Sequence, residues 1–142
     1  MKVLAVDPVV ILDVYLKEVR SILELAVPAW HSGLTRKQSA EIERIQKIAV
    51  NIILSNPRER NNLSYRKSIE ALGLDPLEKR RLKLCKNFAK KTLKSRHSDL
   101  FQENPSSYNT RCKRSFVEHN TNSSRAFMSP LVFLTRLLNK TM

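Results

Sequence analysis

Five lysines, Lys79, Lys83, Lys86, Lys90 and Lys94, recur every three or four residues, with Arg80 beside the first of them. At 3.6 residues per turn, that spacing lines them along one side of a helix. A row of ammonium groups of this kind can follow the phosphates of a nucleic-acid backbone, where each contact releases a condensed counterion and none reads a base. Leu77, Leu84, Cys85, Phe88 and Thr92 share the other face, so the stretch predicts an amphipathic helix with a core side and a cationic side. Arg80 lies on the shoulder. Arg81 falls inside the apolar face, where it either has a partner or snorkels to water. Nearly every charge after Glu78 is positive in this stretch, a self-repulsion that a polyanion or an acidic neighbour would relieve. Lys79, Arg80, Lys83, Lys86, Lys90 and Lys94 are therefore the candidate nucleic-acid-binding residues.

Other chemistries lack their residues. Cys85, His97, Cys112 and His119 are separated by 12, 15 and 7 positions, which is not finger or knuckle spacing. Cys85 lies on an apolar face, where a free buried thiol is the ordinary state. His31 beside Trp30 has no Ser, Cys or Asp constellation around it and reads as a packed loop residue. No Asp-Asp pair offers magnesium a seat for nucleotidyl transfer. Gly33 and Gly73, the only glycines, cannot build a phosphate-cradling loop. The sequence predicts no catalytic residue, no metal, no cofactor and no small-molecule substrate.

The chain has 142 residues, with 26 Lys+Arg against 13 Asp+Glu and a net charge of +13. The excess is uneven. Residues 61–99 hold 11 basic and 4 acidic side chains, whereas residues 1–30 hold 3 basic and 4 acidic. A field of that sign attracts nucleic acid or anionic lipid. A hydrophobic fraction of 42 % suffices for one modest core. Two cysteines cannot make the disulfide framework of a small secreted domain. Asp7, Pro8 and Asp13 interrupt the apolar start, which argues against a signal peptide and a membrane-spanning helix, so an intracellular location is expected, in nucleus or cytoplasm, with no membrane partner.

Helical periodicity supplies the elements that would carry the basic row. Asp7 and Pro8 read as a cap and first helical residue. Val10, Ile11, Val14, Tyr15, Val19, Ile22, Leu23 and Ala26 then follow at helical spacing until Pro28. Apolar residues cover more than half of that helix, so it expects partners on two sides. Thr35 and Gln38 fit a capping box, opening a helix whose buried stripe is Ile42, Ile45, Ala49, Ile52 and Ile53, with Glu43 and Lys47 spaced to pair. Asn56-Pro57 stops it and a polar loop follows. Ser64 caps a short helix closed by Gly73 in a left-handed conformation. Asp75-Pro76-Leu77-Glu78 then restarts the chain with Asp75 as cap. From His97 to Ser124 the chain is polar and aperiodic, a loosely held stretch. Ser129-Pro130 opens a last helix with a stripe of Leu131, Leu134, Leu137 and Leu138, ending at Asn139. The fold class is all-α: a small helical bundle over residues 1–98, followed at 99–142 by a polar loop and a short C-terminal helix.

Several blocks resemble one family. Tyr15-Leu16-Lys17-Glu18-Val19-Arg20-Ser21-Ile22-Leu23-Glu24 with Pro28-Ala29-Trp30-His31 resembles the segment downstream of the catalytic palm in reverse transcriptases of non-long-terminal-repeat retrotransposons. Glu43-Arg44-Ile45-Gln46-Lys47-Ile48-Ala49 is similar to the Glu-Arg-(Ile/Val)-Gln helix of that family. Ala71-Leu72-Gly73-Leu74 followed by Leu77-Glu78-Lys79-Arg80-Arg81-Leu82 resembles its Leu-Glu-x-Arg-Arg helix, and Ser129-Pro130-Leu131 through Asn139 resembles the closing segment of Jockey-like or CR-type polyproteins. The blocks run in the family's order over roughly residues 10–140. The resemblance implies a helical thumb that grips the RNA/DNA template–primer duplex. It also implies that the catalytic carboxylates, fingers and palm would lie upstream of residue 1, so the chain itself is expected to be a non-catalytic fragment of an RNA-directed DNA polymerase. Two alternatives stand beside it: a small domesticated protein-interaction module that uses its first helix, and a nonfunctional transposon remnant.

Overall fold

A computed structural model of the chain describes residues 6–54, 64–105 and 114–140. Among the described residues the regular structure is helical, and the one strand-like feature is an isolated antiparallel bridge between Glu103 and Phe116. The chain is an all-α protein. It divides into two compact units, one formed by Met1–Leu25 and Thr35–Arg80, the other by Ala26–Leu34 and Arg81–Met142.

In the first unit, α1 (Pro8–Val14) starts as its sequence predicts. The Asp7 carboxylate accepts the Val9 N–H at 2.9 Å, and Pro8 occupies the first turn, where no N–H is missed. A π-helical turn, Tyr15–Val19, follows, with the Arg20 N–H bonded to the Tyr15 carbonyl, and α2 (Arg20–Glu24) continues from it. A π turn inserts one residue into the helical repeat and rotates everything after it by about 100°. A regular helix carrying Tyr15 inward would bring Val19 and Ile22 in as well. The observed inward positions are Arg20, Leu23 and Glu24, while Val19 is exposed and Ile22 is 72 % exposed. This corrects the expectation that the apolar run stays in phase to Ala26. Pro28 does not end the helix either. It sits in the first turn of α3 (Val27–Trp30), after Leu25 turns extended and Ala26 adopts a left-handed conformation with φ 50°.

The capping box of α4 (Arg36–Ile53) forms as expected: Thr35 Oγ1 accepts the Gln38 N–H, and Gln38 Oε1 accepts the Thr35 N–H at 3.0 Å. Its buried face is rotated by roughly 60° from the isoleucine stripe. Gln46, Val50 and Ile53 are buried, whereas Ile45, Ile48 and Ile52 face solvent. The cause is polar. Gln46, with no exposed surface, accepts a hydrogen bond from the Tyr15 hydroxyl at 2.8 Å and donates to the Tyr65 hydroxyl at 3.2 Å and the Asp75 carbonyl at 3.1 Å. One turn away, Glu43 Oε1 accepts from the Tyr65 hydroxyl at 2.6 Å and the Leu77 N–H at 3.3 Å, so Glu43 does not pair with Lys47. Tyr65 opens α5 (Tyr65–Ala71), beyond which Gly73 takes φ 63°, the left-handed closure its type predicts. α6 (Leu77–Leu93) begins one residue after Pro76, whose carbonyl accepts the Arg80 N–H. Asn56-Pro57, the expected stop after α4, lies outside the described residues.

The second unit is built around apolar packing. Val27, Cys85, Ala89, Phe101, Phe116, Leu134, Leu137 and Leu138 form its core, with Trp30, Leu82 and Leu93 packed against them. Two further helices belong to it, α7 (Ser124–Phe127) and α8 (Pro130–Asn139). α8 starts where predicted, Ser129 Oγ accepting the Val132 N–H. Among its described residues, the polar stretch after His97 has only short elements, a 3₁₀ turn at Ser98–Leu100 and then α7. It is nonetheless pinned by two aromatic side chains. Phe101 and Phe116 meet edge-on at 6.2 Å, and the Asn139 amide bonds both the N–H and the C=O of Phe116, at 3.0 and 3.1 Å.

The polar contacts of the first unit make its stability sensitive to pH. Burial pushes the Tyr15 phenol up to about 12, and burial with the Glu43 carboxylate beside it also raises Tyr65. A phenol raised in the folded state favours folding fully below the unfolded value of about 10 and loses that contribution as pH climbs towards 12. Stability in urea should therefore be flat to about pH 9.5 and fall above it. Gln46→Leu removes the acceptor of the Tyr15 hydroxyl and the amide donor to the Asp75 carbonyl and should cost about 2–4 kcal/mol in the same titration at neutral pH. At the exit from α2, Ala26→Gly removes the steric penalty of a left-handed alanine and should raise stability by about 0.5–1 kcal/mol, read as a shift of the urea midpoint.

Candidate nucleic-acid interface

α6 and the turn that follows it carry the predicted basic residues, and their surroundings separate them into two sets. Lys79 and Arg80, in the first unit, both have carboxylate partners. Lys79 Nζ lies 2.7 Å from Asp75 Oδ1, an exposed pair of little energetic weight. Arg80 is held more firmly. Its Nε and Nη2 donate to the two carboxylate oxygens of Glu24 at 2.5 and 2.9 Å, and Arg20 Nε approaches the same carboxylate at 3.7 Å. The fork-to-fork bond to Glu24 raises the Arg80 pKa. A phosphate reaching Arg80 would have to displace that carboxylate. Glu24 can be there because the π turn rotates it inward, a step that helical periodicity does not reveal.

Lys83, Lys86, Lys90 and Lys94 belong to the second unit. Lys83 and Lys90 are exposed on α6, Lys86 is half-buried, and Lys94 is exposed in the turn just beyond Leu93. None of the four has a carboxylate partner among the described residues. Successive members are about 40 to 60° apart around the helix, and Lys83 to Lys90 span about 10 Å along it. Lys91 and Arg96, exposed and equally without an ion pair among the described residues, extend the positive surface around the helix end. They fall outside the predicted row because they break its periodicity. Lys90 and Lys91 also lie in the last turn, where the carbonyl end of the helix favours cations and offsets part of their mutual repulsion.

The opposite side of the helix is centred on Arg81, Cys85 and Ala89, one every fourth residue, all fully buried. Phe88, expected on that side, is 48 % exposed, since the core is reached along the Arg81–Cys85–Ala89 line. Burial pushes the Cys85 thiol up to about 11, against a smaller lowering by the nearby Arg81 charge. At that value it is a packing residue and not a nucleophile. His31 packs edge-on against Phe133, ring centres 5.4 Å apart. Among the described residues no three His, Cys, Asp or Glu side chains are grouped to hold a metal ion, and Cys112 lies outside them. No helix among the described residues is long and apolar enough to cross a membrane. No family model, curated protein or solved structure matches the chain.

The division of the basic residues is testable by stability alone. Arg80→Gln leaves the Glu24 carboxylate without its fork partner and should cost about 1–3 kcal/mol in a urea titration. Lys83→Gln should stay within about 0.5 kcal/mol of the parent chain.

Proposed function

We propose that this chain is a non-catalytic helical module that grips a nucleic-acid duplex through phosphate contacts from α6, in the manner implied by its resemblance to the thumb of non-long-terminal-repeat retrotransposon reverse transcriptases. The observation that carries the reading is the set of Lys83, Lys86 and Lys90 along one side of α6 with Lys94 in the turn that follows, none with a carboxylate partner among the described residues. Arg80 takes a lesser part, because Glu24 already holds it in a two-point bond, whereas Lys79 has only its exposed pair with Asp75. The net charge of +13 supports a polyanionic partner and adds long-range attraction. The family assignment rests on the sequence blocks. Several of their residues, Tyr15, Glu24, Glu43, Gln46 and Arg80, form the internal polar contacts of the first unit, which fits blocks that specify a scaffold.

A protein partner bound through the first helix is the second reading, favoured by the exposed Val9, Val10, Val14, Ile22 and Leu25. In the fragment reading that partner is the polymerase palm of the parent family. A transposon remnant with no function would show neither property.

Affinity for an RNA–DNA hybrid, measured by anisotropy across a salt series, discriminates among these. Replacing Lys83, Lys86 and Lys90 with Gln should flatten the slope of log K against log salt by roughly 2–3, with helicity unchanged. Replacing Arg111, Lys113 and Arg114 removes the same number of charges and should weaken binding less. Equal loss in the two triple variants would mean that net charge alone accounts for the affinity. No effect of either would remove duplex binding from this chain and leave the partner reading.

A further inference from the structure

The outer face of α4 has a surface that the duplex reading does not use. Ile45, Ile48 and Ile52 are 41, 50 and 54 % exposed, and their spacing of three and four residues stacks them in one stripe along the helix. Beside the stripe stand Arg44 and Lys47, with Lys37 further towards the N-terminus. None of these three cations has a carboxylate partner among the described residues. Glu43, the acid spaced to pair with Lys47, is turned inward to Tyr65 and the Leu77 N–H, and Glu41, exposed one turn before Ile45, makes no ion pair among them. A groove between α4 and α5, lined by Ala40, Glu43, Arg44, Lys47, Ile48 and Tyr65, borders the same stripe.

We propose that this face of α4 is a docking surface for an acidic amphipathic helix of a partner protein. The isoleucine stripe would receive the partner's apolar ridge, and Arg44 and Lys47 would meet carboxylates along its flank. Each component points to that chemistry. Three branched aliphatic side chains held half out of water at i, i+3 and i+7 match the ridge of a docked helix. A phosphate backbone offers nothing apolar to cover them. Arg44 beside Ile48 and Lys47 across the bordering groove, neither with an ion pair among the described residues, outweigh the single exposed Glu41 at the N-terminal end of the stripe and call for an anionic flank. Such charges set orientation and speed of encounter. A second copy of this chain is disfavoured, because two chains of net charge +13 repel. The surface belongs to α4 within the first unit and is distinct from the α6 lysines of the second.

The test uses the full chain and a synthetic helical peptide about five turns long, with leucines along one face and glutamates on its flank. The parent chain should bind this peptide. Ile48→Ser with Ile52→Ser should weaken binding by roughly tenfold or more, with the circular-dichroism spectrum unchanged because both side chains are exposed. Arg44→Glu with Lys47→Glu should weaken it similarly, and a peptide with lysines in place of the glutamates should recover affinity for that variant alone. Absence of binding, or equal binding by the isoleucine variant, overturns the proposal. So does loss of affinity without recovery by the charge-swapped peptide. Concentration-dependent self-association that disappears in the isoleucine variant would assign the face to a second copy and overturn it as well. Competition by duplex RNA that depends on Arg44 and Lys47 but not on the isoleucines would assign the face to nucleic acid, and the proposal would fall with it.

Discussion

One buried amide organises the first unit. Gln46 has no exposed surface, and its amide nitrogen and carbonyl oxygen reach three other segments of chain: the π turn at Tyr15, the start of α5 at Tyr65 and the approach to α6 at Asp75. Each bond fixes a direction as well as a distance. An apolar residue in its place could contact the same neighbours in several rotations, whereas the amide permits one rotation of α4. That rotation buries Val50 and Ile53 and leaves Ile45, Ile48 and Ile52 in water. The exposed stripe is therefore a consequence of polar satisfaction, not of a shortage of apolar residues.

Polar order and apolar packing are divided between the two units. The first relies on hydroxyl, amide and carboxylate contacts, with Glu43 and Glu24 receiving donors that would otherwise be left in a partly dry environment. The second relies on a continuous apolar cluster in which residues from α3, α6 and α8 meet Phe101 and Phe116. Substitutions in the two should differ in kind. Polar changes in the first unit leave unpaired groups, while truncations in the second leave cavities.

Local signals are legible in the sequence wherever a short-range bond decides them. Asp7-Pro8, Thr35 with Gln38, Gly73 and Ser129-Pro130 announce helix boundaries because a cap or a left-handed residue acts within a few positions. Phase is less legible. The π turn at Tyr15–Val19 has no signature in a pattern of apolar residues, yet it decides that Glu24 faces inward and hence that Arg80 is engaged. The buried face of α4 escapes periodicity for a related reason: counting isoleucines gives no weight to a glutamine whose value lies in three distant partners. The basic row of α6 is visible as a row, but its division into paired and unpaired cations depends on Glu24 and Asp75, and Glu24 lies 56 residues from Arg80 in sequence.

Cys85 gives the second unit a chemical clock. Its thiol is fully buried in the cluster that joins α3, α6 and α8, and its ionisation is suppressed well beyond the ordinary thiol range. Alkylating and disulfide reagents attack the thiolate, so in the closed unit this sulfur is silent. It becomes reactive only in molecules whose core has opened. In a chain with Cys112 replaced by serine, the rate of modification would count those openings one sulfur at a time. A partner that stabilised the closed unit would be seen as a slowing of the count, without any label placed on the surface where it binds.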